Sequence, residues 1–270
     1  MDVLALDSDR WNDLGYNSSR GDLPQSLVDF LNPDSSLDAK TDAIDVINDQ
    51  IFHQTSTYEA TYVVLPILIL NWPDQHPDHQ FFISHLAGLV SLEQGEWQTG
   101  LSKAEIQTFA TSQQLALDQA IYLLQHGIPK DFDHVLDLAC AIVGLSGQRD
   151  LGWRLRHRRE EDRHQCSSCD RILESNCFIV GHDSVKDLPD YLNFDSTKTA
   201  YATPINRIVA RHRVTPREKF PEDSKEGWIT TLCEQSGHPK CAQWLRCFFG
   251  STTCPHCEQP VELLGHGVLY

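Results

Sequence analysis

Apolar residues recur at helical spacing through most of the first 150 positions, and each stripe carries its own start and stop signals. In DLPQSLVDFLN (22–32), Leu27, Phe30 and Leu31 share a face, Asp22 can cap the start and Pro24 suits a first turn. Trp11, Leu14 and Tyr16 precede it as an apolar arm. SSLDAKTDAIDVINDQIF (35–52) repeats the pattern, with Ser36 as N-cap and Ile44, Ile47 and Ile51 opposite Lys40, Asp42, Asp45 and Asp49. HQTSTYEATYVVLPILILNW (53–72) is apolar almost all round from Tyr62, which predicts a buried helix. Thr57 or Ser56 would cap it, Glu59 would sit in its first turn, and Pro66 would kink it near Tyr62. NWPDQHPDH reads as a loop with solvated histidines.

The following helix, DHQFFISHLAGLVSLEQG, sets Phe82, Leu86 and Leu89 on its apolar side, with Gly95 as its stop. Ser102 and Glu105 have capping-box spacing and open a long helix running to His126. Its buried side would be Ile106, Phe109, Leu117, Ile121 and Leu124, and Gly127 with Pro129 would end it. DFDHVLDLACAIVGL (131–145) is a further apolar helix in which Cys140 reads as core. Much later, GWITTLCEQSGHPKCAQWLRCFFG (227–250) reads as two helices broken at Gly237-His238-Pro239. CFIVG (177–181) and VELL (261–264) look like short strands.

Composition changes abruptly at RDLGWRLRHRREEDRH (149–164), which divides an acidic helical region, 1–150, from a second region, 151–270. Arg154, Arg156, Arg158 and Arg159 meet Glu160, Glu161 and Asp162 at helical spacing, the pattern of a salt-bridged helix end. The rival reading is a phosphate-binding or RNA-binding surface beside Trp153. Residues 1–150 hold 22 Asp/Glu against 6 Lys/Arg, whereas 151–270 hold 16 of each, so the whole net charge of −16 lies in the first region. Such a region suits a solvated acidic face or the docking of a basic protein, and it would repel nucleic-acid phosphates. The longest apolar run, VVLPILIL (63–70), is far short of the roughly 20 residues that span a bilayer. With no basic, apolar leader at the start, the expectation is a soluble cytoplasmic protein that does not engage a membrane.

Nine cysteines, an odd number, fit a reducing compartment with a metal site better than a disulfide framework. Cys166 and Cys169 in HQCSSCD, and Cys254 and Cys257 in TTCPHCE, form two short knuckles. Two such pairs supply four soft ligands, the composition of a closed tetrahedral zinc site that is structural because no position remains for water. His164 and His256 are the alternative ligands. Cys177, Cys233, Cys241 and Cys247 read as apolar packing. Knuckles beside short strands are similar to a zinc ribbon, here split by an insertion, because 84 residues separate Cys169 from Cys254. Cys-Pro-His-Cys also looks like the redox motif of DsbA-type thiol oxidases, where the first cysteine opens a helix. Only 13 residues follow Cys257, too few to complete such a fold. No P-loop, G-x-S-x-G, H-E-x-x-H or dinucleotide glycine motif is present in the sequence.

Helix pairs of roughly 30 to 45 residues suggest a stacked α-solenoid of the HEAT kind, with a plain helical bundle as the alternative. His53-Gln54-Thr55-Ser56-Thr57-Tyr58, followed by Ala60, Leu65 and Pro66, resembles an HQG-x-x-Y…LP pattern of bacterial HEAT-like proteins, with Thr55 in place of the glycine. That resemblance covers about the first 150 residues and implies an immunity or adaptor role. The expectation is therefore a mainly α protein with a split zinc-ribbon element. It would bind a protein partner without catalysis. The alternatives are nucleic-acid binding through Arg154–Arg159 and the ribbon, or thiol–disulfide exchange at Cys254 and Cys257.

Overall fold

The computed structural model describes residues 3–17, 21–53, 56–93, 100–156, 162–169, 172–175, 202–203, 207–209, 215–254 and 256–262. Among the described residues it is a mainly helical bundle with three small sheets, and the chain divides into two compact units, Met1–Leu155 and Arg156–Tyr270.

The first unit is helical. The Asp22 side chain accepts from the Gln25 amide and opens α1 (Leu23–Leu31), whose buried stripe is Leu23, Leu27 and Phe30, with Leu31 half-buried. Ser36 accepts from Ala39 and opens α2 (Leu37–Ile51), which packs on α1 and buries Ile44, Ile47 and Ile51. Trp11 and Leu14 of the N-terminal arm are buried, and Arg10 ties that arm to Glu105 at 3.1 Å and to the Gly100 carbonyl at 2.7 Å.

The expected cap of the third helix is not where the sequence placed it. Phe52–His53 (β1) pairs antiparallel with Ser56–Thr57 (β2), so Thr57 belongs to a strand, and α3 spans Thr61–Leu70. Ala60 stands at the N-cap with no side-chain cap bond, and Thr61, the first helical residue, ties the start down, its hydroxyl accepting from the Tyr58 amide at 2.9 Å and donating to the Ile51 carbonyl at 2.5 Å. Glu59 precedes the helix and accepts from the Gly15 amide. Every residue from Thr61 to Ile69 is buried, as the all-round apolar pattern required. Gln54 and Thr55 of the HEAT-like pattern lie outside the described residues.

HPDH is helix rather than loop. After a short 3-10 turn at Trp72–Asp74, His76 caps α4 (Pro77–Leu92), and His79 is buried within it. Ile83, Leu86, Ala87 and Val90 form the buried side, while Phe82 and Leu89 are half-buried. The reason is that α4 packs against α2 and α3 as well as α5 (Lys103–Gln125) and α6 (Phe132–Leu145), so its apolar face is wider than one stripe. The helix ends at Leu92, and the proposed stop Gly95 lies outside the described residues. The Ser102–Glu105 capping box is present in both directions, at 3.2 and 2.6 Å. On α5 the buried apolar positions are Phe109, Ala116, Ala120, Leu123 and Leu124, with Ser112 and Gln119 buried among them and Ile106, Leu117 and Ile121 half-buried beside them. Asp131 caps α6, which carries the buried thiol of Cys140 against the Gly152 carbonyl.

α7 (Arg149–Arg156) follows, with Arg154 and Arg156 half-buried. Asp162, expected to continue that helix, begins a strand, β3 (Asp162–Gln165), because it is paired across a hairpin rather than along a helix. His157, Arg158, Arg159, Glu160 and Glu161 lie outside the described residues, as does the strand expected at 177–181.

Among its described residues the second unit holds the remaining strands and two helices. β3 pairs with β4 (Ile172–Ser175), β4 runs parallel to β6 (Arg207–Val209), and β5 (Ala202–Thr203) completes the sheet in the order β3-β4-β6-β5. α8 (Lys225–Gln235) and α9 (Pro239–Phe248) form the expected pair. Gly237 supplies the left-handed turn between them at φ +83°. Trp244, Phe248 and Phe249 build an aromatic core there, with Phe249 fully buried. Among the described residues no helix is long and apolar enough to cross a membrane.

Candidate metal centre

Both knuckles are held at the tips of antiparallel strand pairs. Gln165 of β3 faces Ile172 of β4, so the connection begins at Cys166 and includes Cys169. On the second pair, β7 (Ser251–Thr253) lies against β8 (Pro260–Glu262), with Thr253 opposite Pro260 and Cys254 next in sequence. The backbone closes this second turn. The Cys254 amide donates to Gln259 at 2.8 Å, and the Glu258 amide donates back to Cys254 at 2.9 Å. β7 is anchored on its other edge by Thr215, whose amide and carbonyl both bond Ser251, at 2.8 and 3.0 Å. Gly250 makes that approach possible, since a Cβ there would stand 2.3 Å from the Thr215 carbonyl.

These two tips bring Cys166, Cys169, Cys254 and Cys257 together, with all four Sγ atoms within 4.8 Å of one another. Cys166 Sγ lies 3.5 Å from Cys257 Sγ, and Cys169 Sγ lies 3.7 Å from Cys254 Sγ. A tetrahedral ion with bonds of about 2.3 Å to sulfur spaces its ligands by about 3.8 Å, while a disulfide would need about 2.05 Å. The separations therefore suit four sulfurs around an ion. The first cysteine of each knuckle is 0% exposed, and Val261 of β8 backs them. The second cysteine of each is half-buried.

Protonation within the cluster is unequal. Burial opposes ionisation of Cys166, but the amides of Ser168 and Cys169 and the Cys257 thiol overcome it and lower it to about 7. For Cys257 the Gln259 amide favours the thiolate, yet burial and the three neighbouring sulfurs prevail and push it up to about 12. Four like charges this close cannot all ionise alone, so full deprotonation of the set calls for a cation among them. The cluster is thus capable of holding a metal ion.

Of the alternative ligands, His256 does not join it. His256 is exposed and contributes no atom to the cluster, and the His164 side chain and Cys177 lie outside the described residues. Cys233, Cys241 and Cys247 are buried around α8 and α9. Cys254 is followed by a turn and β8, not by a helix, so it lacks the helix N-terminus that activates the thiol of a DsbA-type motif. Sequence reading missed the strands β3 and β4 around the first knuckle and the role of Glu258. The polar string Asp162–Gln165 has no apolar alternation to reveal a strand.

No family model, curated protein or solved structure matches this chain.

Proposed function

We propose that the protein is a zinc-stapled helical adaptor that binds a basic partner protein and catalyses no reaction. The observation that carries the zinc reading is the convergence of four cysteine sulfurs within 4.8 Å from two hairpin tips far apart in sequence. Four thiolates around one ion leave no coordination position for substrate or water, so the centre acts on the fold, in the manner of a split zinc ribbon. The docking reading is supported by the charge of the first region and by α1 and α2, where Asp22, Asp29, Asp34, Asp38, Asp42 and Asp45 are exposed. Helices two apart in sequence pack closely, α3 on α5 and α4 on α6, as in a stacked array of the HEAT kind. An immunity or adaptor role in the cytoplasm accords with this arrangement.

Elemental analysis with thiol counting tests the zinc. The expected result is one zinc per chain and four thiols whose reactivity rises sharply on chelation; a metal-free folded protein overturns it. Capture of a partner by wild type and by the triple variant Asp38→Asn, Asp42→Asn, Asp45→Asn tests the docking face. A basic partner released by salt and lost by the variant is expected. Capture indifferent to both salt and substitution overturns it.

A further inference from the structure

The four sulfurs differ in exposure; sulfurs interact within each knuckle, and two close contacts run between the knuckles. Cys166 and Cys254 are sealed beneath Val261, whereas Cys169 and Cys257 form the half-open edge. Each edge sulfur has a sealed sulfur of the other knuckle beside it: Cys257 has Cys166 at 3.5 Å, and Cys169 has Cys254 at 3.7 Å. Building on the zinc reading above, we propose that Cys169 and Cys257 are modification sites at which a peroxide-class oxidant enters the centre. The product is a pair of cross-knuckle disulfides, Cys166–Cys257 and Cys169–Cys254.

The chemistry is balanced with peroxide as oxidant. Held as a thiolate by the ion, Cys257 attacks one peroxide oxygen, the O–O bond breaks, hydroxide leaves, and the sulfur becomes a sulfenic acid. The Cys166 thiolate then attacks that sulfur, forming the S–S bond and breaking S–O, with a second hydroxide leaving. Two thiolates lose two electrons, and one peroxide with two protons becomes two waters. Cys169 and Cys254 consume a second peroxide in the same way. Zinc is released, since a disulfide sulfur no longer offers the charge that held it.

The pairing has a structural consequence. The two bonds would join positions 91 and 85 residues apart, so they hold together the same hairpin tips that the ion held. Oxidation would exchange a metal staple for a covalent one, and the second unit would stay folded. Bonds formed within each knuckle would close only short local rings and leave the tips untied.

Wild-type protein serves for every arm of the test. Zinc is measured first, before any reagent is added, and absence of metal overturns the zinc reading itself. With zinc present, substoichiometric iodoacetamide is expected to label Cys169 and Cys257 about tenfold ahead of Cys166 and Cys254. Two equivalents of hydrogen peroxide are expected to release the zinc and yield peptides linking Cys166 to Cys257 and Cys169 to Cys254. Circular dichroism of the oxidised protein should keep its helical signal. Peptides linked within a knuckle, equal labelling of the four sulfurs, or resistance of the zinc to peroxide overturns the inference while leaving the zinc reading intact.

Discussion

Glu258 has a backbone φ of +60°, the left-handed region that favours glycine, directly after the second knuckle. The positive φ turns the following chain back, so that the Gln259 carbonyl meets the Cys254 amide at 2.8 Å. Glu258→Gly should therefore stabilise the metal-bound protein by up to about 1 kcal/mol, read as a higher urea midpoint. An unchanged or lower midpoint would show that the turn is not strained. His79 makes a different case. The Thr41 hydroxyl donates to the Leu37 carbonyl, so the His79 Nε2–H donates to Thr41, and its Nδ1 is left buried without a partner. Burial lowers the His79 pKa below 6.5; His76 and Lys40 add to this, and Asp78 and Asp45 oppose it. Phe30 of α1 packs its ring edge-on and brings no charge. The unfolded chain therefore takes up this proton first as pH falls. Stability from this residue is complete above about 6.5 and declines as pH drops from there towards the lower folded value. Between pH 7.5 and 5.5 the urea midpoint of wild type should fall more than that of His79→Gln. Parallel curves would refute the buried neutral ring.

Helix α4 crosses α6 so closely that Gly88 has no room for a side chain: a Cβ would stand 2.3 Å from the Cα of Ala141. In an open helix, glycine to alanine gains about 1 kcal/mol. Here Gly88→Ala should instead cost about 1–3 kcal/mol, because two backbones must part. Adding Ala141→Gly should not restore stability, since the Cα itself blocks the space; full rescue would show that only the facing methyl mattered. Ser102→Ala should remove about 1 kcal/mol by opening the capping box, measured the same way. These helix starts were legible in the sequence because a cap and its amide lie within three residues. Asp22, Ser36 and Ser102 all cap as their spacing indicates. The start of α3 was not legible. Thr57 is taken up by pairing with Phe52, and Thr61 reaches the Ile51 carbonyl ten residues back, neither of which has a local signature. The face of α4 was misjudged for a similar reason, because how many helices bury it is decided by packing and not by its own period.

The candidate site was legible as composition and illegible as architecture. Two C-x-x-C pairs name the sulfurs, but only folding brings Cys166 beside Cys257 across 91 positions. That distance in sequence makes the staple's contribution separable from that of the helices before it. The first unit, Met1–Leu155, has its own core in Phe30, Ile47, Tyr62, Leu68, Ile83 and Leu123 and contains none of the four sulfurs. The second unit has α8, α9 and short strands, of which β7 and β8 are three residues each. Strands so short need a further constraint to persist. Chelation under reducing conditions should consequently unfold residues 156–270 and spare 1–155. Circular dichroism should show partial loss of helix, corresponding to α8 and α9, and proteolysis should leave a resistant fragment ending near Leu155. Loss of all helical signal on chelation would mean that the first unit does not fold by itself, and no loss would mean that the sulfurs do not hold the second unit together.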